Sequence, residues 1–101
     1  MSALDELKSR WARKRFQRAA QQYQCAMETH LALMESTNGQ LGMVMVQLAA
    51  LGGSPPGELA DTIKQASILS GIPEEALEAH ARFTSEMITC FEFDQKTKNP
   101  R

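Results

Sequence analysis

Apolar residues recur every three or four positions through the first half of the chain, the spacing of one buried face on an α-helix. Phe16, Ala20, Tyr23, Met27, Leu31 and Met34 share one stripe at 100° per residue. Leu41, Met45 and Leu48 continue it in phase, with Asn38 bridging the gap. Between the two runs lies "STNG", Ser36 to Gly39, four poor helix formers that together cost roughly 2–3 kcal/mol relative to alanine. Because the stripe keeps its phase across this weak point, the pattern predicts one long helix over 3–51, bent if anywhere near Gly39. Its length would be about 73 Å at about 1.5 Å per residue. The competing reading is two helices, 3–35 and 40–51, with a tight connection. Ser2 is the expected cap at the start, with Asp5 in the first turn.

"GGSPPG" ends that pattern. Ser54 is the expected cap of a second helix over 56–70, with Pro55 and Pro56 at its start. Gly71 is placed to adopt the left-handed conformation that closes a helix, and Ile72 to make the accompanying hydrophobic contact. Pro73, Glu74 and Glu75 open a third helix over 73–93, with acids at the positive end of its dipole. Its apolar stripe is Ala76, His80, Phe83, Met87 and Cys90. Residues 94–101, "DQKTKNPR", have no apolar anchor and are expected to form a flexible tail. No stretch alternates as a strand would. The expected fold is therefore all-α, one domain over 1–93: a helical hairpin of one long N-terminal helix packed against two shorter ones. Such a hairpin has a narrow core, so pairing into a dimeric helical bundle is expected to cover what it leaves bare.

One patch does not join the main stripe. Leu4, Leu7 and Trp11 lie on the opposite face of the first helix, and Lys8, Arg10, Lys14, Arg15 and Arg18 surround them. Of the 101 residues 43% are hydrophobic and 23% charged, with a net charge of −1. The charge is unevenly spread: residues 1–22 carry six Lys/Arg and two Asp/Glu, and the remainder carries a net −5. An apolar strip rimmed by cations fits a packing neighbour or dimer mate, an acidic groove on a partner protein, the phosphates of a nucleic acid, or an anionic membrane surface. Leu4, Leu7, Trp11, Arg10, Lys14, Arg15 and Arg18 are thus the candidate partner-binding residues. Met43 and Val46 fall off the main stripe and are expected to be apolar surface for a mate or partner.

Catalytic and cofactor chemistry finds little support. "TIKQASILSGIPEEALEAH" has the outline of a helix-turn-helix, but its would-be recognition helix carries Glu74, Glu75 and Glu78, which repel phosphates. Cys25 and Cys90 form no paired motif, and nothing spaces them with His30 and His80 as metal ligands. A Cys–His nucleophile would need an orienting acid and an oxyanion-binding turn, and neither is identifiable. "GGSPPG" lacks the Lys-Ser/Thr that follows a phosphate-cradling loop. The longest apolar run, Leu48 to Leu51, falls far short of the roughly 20 residues a membrane span needs. Free thiols and the lack of a leader pattern lead to the expectation of a cytoplasmic protein with no catalytic residue, metal or cofactor. The expected function is non-enzymatic protein–protein interaction, as an adaptor, escort chaperone or inhibitor of a larger assembly, with homodimerisation. The alternative is a nucleic-acid-associated regulator that uses the basic N-terminal helix.

Overall fold

The chain breaks at Ser36. The computed structural model describes residues 3–98, which form four helices: α1 (Ala3–Glu35), α2 (Thr37–Leu51), α3 (Pro56–Ser70) and α4 (Glu74–Lys98). Ser36 has extended backbone (φ −65°, ψ 157°), and its Oγ accepts a hydrogen bond from the Gly39 N–H at 3.0 Å. The same hydroxyl donates to the Leu33 carbonyl at 2.6 Å, and Gln40 Nε2 donates to the Glu35 carbonyl at 3.3 Å. The single long helix expected over 3–51 is therefore two. "STNG" is a cap and a first turn, the place where serine is favoured, rather than a strained helix interior. A bend also exists, but at His30 (φ −120°, ψ 26°) inside α1, not at Gly39. A straight helix over 3–51 would run about 73 Å, whereas the molecule measures 46 × 26 × 19 Å.

α2 closes through Gly53 (φ 69°), whose N–H donates to the Ala50 carbonyl at 3.3 Å, while the Ser54 N–H donates to Ala49 at 3.1 Å. This pair of bonds is a Schellman closure. Ser54 thus finishes α2 instead of capping α3, which starts at Pro56 with Pro55 at the cap and no side-chain cap bond. Gly71 takes the expected left-handed conformation (φ 76°), and Ile72 is fully buried behind it. α4 runs to Lys98, past the expected end at Phe93. Asp94 pairs with Arg13 at 3.3 Å, which gives the added turn a tether on α1. Ser2 and residues 99–101 lie outside the described residues.

α1 and α4 run antiparallel, as three successive contacts show: Arg13 with Asp94, Phe16 with Phe83 (ring centroids 5.5 Å apart) and Tyr23 with His80 (4.7 Å). The contact face of α1 follows a seven-residue repeat. Ser9, Phe16, Tyr23 and His30 form one row and Ala12, Ala19 and Ala26 the other, all buried or half-buried. α2 packs on α3 and α4, most tightly where Gly42 meets Ala66 and Ser70. The core gathers Met34, Val46, Ile63, Ala66, Ile72, Ala76, Leu77 and Ala81. No described helix is long and apolar enough to cross a membrane.

Candidate functional site

Among the described residues, exposed apolar side chains include a group on α1 and another on α2. The first is on the N-terminal half of α1. Its seam residues Ser9, Ala12 and Ala19 are buried, so the residues opposite them must face water. Leu4, Leu7 and Trp11 do so, and Trp11 is 59% exposed. Trp11, Lys14, Arg15 and Arg18 line a shallow depression of about 370 Å³. Arg15 reaches toward Glu86 on α4 at 3.9 Å, the outer limit of an ion pair. Among the described residues no carboxylate pairs with Lys8, Arg10, Lys14 or Arg18, so four cations of this face are uncompensated. The structure thus brings Trp11 together with Lys14, Arg15 and Arg18 and leaves Leu4, Leu7 and Arg10 exposed on the same helix.

The second surface is on α2, and it is not where the sequence pattern placed it. Val46, expected to face a mate or partner, is fully buried in the core, and Met43 is half-buried against that core. The buried positions of α2 are instead Gly39, Gly42 and Val46. The correction follows from the break at Ser36: once the chain restarts with a new cap, α2 need not keep the phase of α1. Leu41 and Leu48, the expected continuation of the main stripe, are turned outward, and with Val44 and Leu51 they form an exposed row. Leu48 is 63% exposed. This row was legible as 41-44-48-51 spacing, but only after the break had been placed correctly.

A groove of about 530 Å³ runs between α1 and α2 beside that row. Met27, Leu31, Met34, Met43 and Val44 supply apolar wall, and His80 of α4 lies at its base next to Tyr23. Both ring nitrogens of His80 are buried without a hydrogen bond of ordinary geometry. Burial pushes its pKa below the usual histidine value, and the nearby Met43 backbone opposes the shift without cancelling it. Burial also raises the pKa of Tyr23.

A third, larger depression of about 860 Å³ between α1 and α4 is lined by Arg18, Gln22, Cys25, His30, Glu75 and Arg82, among others. Arg82 donates to Gln22 across it at 3.1 Å. Cys25 is exposed and Cys90 buried, both as free thiols. Among the described residues no group of three or more His, Cys, Asp or Glu side chains stands close enough to hold a metal ion. The chain matches no protein-family model, no curated protein and no solved structure.

Proposed function

We propose that this is a non-enzymatic binding protein, an adaptor, escort chaperone or inhibitor of a larger assembly, acting in the cytoplasm. Its basic N-terminal helix docks an acidic, amphipathic helix of another protein. The observation that carries the reading is the exposed indole of Trp11 among uncompensated cations. A large aromatic left in water is a favoured anchor for a partner, and the surrounding charge selects an acidic one and speeds its approach. Leu4, Leu7 and Trp11 follow one another at helical spacing, so a second helix laid along them meets apolar contact over about two turns. Phosphate would use the cations but would leave Leu4 and Leu7 bare, which favours a peptide over a nucleic acid.

Trp11 is the sole tryptophan, so its fluorescence reports occupancy of the face directly. The test titrates the full chain with a designed acidic amphipathic helix, with its glutamine-for-glutamate counterpart, and with single- and double-stranded oligonucleotides. The expected result is a saturable spectral shift with the acidic peptide, at least tenfold weaker with the neutral one. Lys14→Glu and Arg18→Glu should each weaken it while the circular dichroism spectrum holds. Tighter binding of an oligonucleotide, with a log–log salt slope near −4 for about four phosphates, would establish the nucleic-acid reading instead. Silence toward every probe would overturn both.

A further inference from the structure

We infer that the exposed row of α2 is a self-association surface, on which two copies of the chain pair across a two-fold axis. Leu41, Val44, Leu48 and Leu51 are all exposed, and their 3-4-3 spacing is that of a coiled-coil seam. Charge decides which partner this row takes. From Ser36 to Gly57 the chain contains no Asp, Glu, Lys or Arg, so α2 offers a partner no ionic handle. A two-fold interface sets the same patch on both copies, and like therefore meets like. On the Trp11 face that would drive Lys8, Arg10, Lys14 and Arg18 against their own copies, whereas α2 itself opposes no charge and the adjoining groove carries a single carboxylate, Glu35, in its lining. The basic face is suited to a foreign acidic helix and the neutral one to itself.

Geometry adds a second support. In an antiparallel pairing centred on the row, Leu48 of one copy lies opposite Val44 of the other. Val44 is also a wall of the groove between α1 and α2, together with Leu31, Met27 and Met43. The most exposed leucine of the row is thus carried to the mouth of an apolar groove, and the two-fold axis repeats the contact in the second copy. The row itself, from Leu41 to Leu51, is only about 15 Å long. A stable dimer removes about 800 Å² from each partner. A row this short is at the small end for such an interface, so the dimer is expected to dissociate on dilution.

Sedimentation velocity on the full chain, from sub-millimolar to low micromolar concentration, tests this without knowledge of any other partner. The expected species at high concentration has twice the 11.2 kDa chain mass, returning toward a single chain on dilution. Leu48→Glu should give the single-chain mass at every concentration with an unchanged circular dichroism spectrum, since that side chain already faces water. Leu48→Gln is the milder form should the glutamate disturb folding, and it should weaken association at least tenfold. A Trp11→Ala, Lys14→Glu double variant should dimerise like the parent. A parent that stays at 11.2 kDa throughout would overturn the proposal. So would a dimer indifferent to both Leu48 variants, or one abolished by the change at Trp11 and Lys14.

Discussion

The rings of Tyr23 and His80 meet across the α1–α4 seam, 4.7 Å between centroids and tilted by 34°, and Tyr23 stacks on Phe83 at 5.1 Å as well. His80 is consequently held in an aromatic, desolvated setting that disfavours its charged form. Burial at this joint between the two helices favours the neutral imidazole.

This makes stability depend on pH in a stated direction. The pKa of His80 is lowered in the fold, by burial first, against an ordinary value of 6.5. As pH falls through 6.5 the unfolded chain takes up this proton while the folded chain does not, so the folded state loses ground. The loss continues until the folded pKa is reached, at no more than about 1.4 kcal/mol per pH unit. Above 6.5 the group contributes no slope. Urea midpoints should therefore fall as pH drops below 6.5, and His80→Phe should flatten that part of the profile. An unchanged slope in the variant would show that other groups cause it.

Gly42 and Gly57 should respond oppositely to the same substitution. A Cβ on Gly42 would lie 2.8 Å from Ser70 Cβ and 3.1 Å from the Ala66 carbonyl oxygen. Ser70 cannot easily yield, because its hydroxyl donates to Ala66 at 2.6 Å and accepts from the Ile72 N–H at 3.1 Å. Gly42→Ala gains about 1 kcal/mol of helix propensity but has to part α2 from α3, and a net loss of roughly 1–2 kcal/mol is expected. A Cβ on Gly57 meets nothing within 4 Å. Gly57→Ala should stabilise by about 0.4–1 kcal/mol. Thermal melts of the two variants check the pair of signs.

The helical content, the Gly71 closure and the stripe of α4 were legible because each rests on local chemistry: a glycine that can take positive φ, acids at a helix start, apolar residues at fixed spacing. The exposed Leu4–Leu7–Trp11 face was legible for the same reason. What misled was phase. A stripe that continues from Met34 to Leu41 and Leu48 reads as one helix, yet a serine cap resets the geometry, and Val46 goes inward while Leu48 goes out. The α1–α4 seam was legible through Phe16, Tyr23, His80 and Phe83, but not along the face where Ser9, Ala12 and Ala19 are buried. These small residues lie off the stripe of larger side chains, and their burial lets the two helices approach closely. The α2 row needed the break at Ser36 to be placed first, and the groove beside it depends on tertiary arrangement.

The cap at Ser36 offers a direct check on that correction. Ser36→Ala removes both the bond from the Gly39 N–H and the bond to the Leu33 carbonyl. A loss of about 0.5–2 kcal/mol is expected, as for other N-caps, even though alanine is the better helix former. Gly39→Ala should be worse, since its Cβ would collide with the Leu33 carbonyl oxygen, a backbone atom with little room to move. Were residues 36–39 the interior of one continuous helix, both substitutions would stabilise. Chemical denaturation therefore distinguishes the two architectures by the sign of the change.

The two thiols report how firmly the far end of the α1–α4 pair is held. Cys25 is exposed on α1, whereas Cys90 is buried in the seam. Burial raises the Cys90 pKa, Asp94 raises it further, and Arg13 pulls the other way. Because the thiolate is the reactive form, both access and ionisation slow Cys90. Ellman's reagent should label one thiol per chain rapidly and the second only as the end of the pair opens. Mass spectrometry should place the fast label on Cys25. Asp94→Ala should speed the second phase by removing the Arg13 tether and one cause of the raised pKa, with little change in overall stability, because an exposed pair contributes under about 1 kcal/mol. Two equally fast thiols in the parent would mean that the Arg13–Asp94 end of the pair is open in solution, and that Trp11 is carried on a helix with no fixed backing.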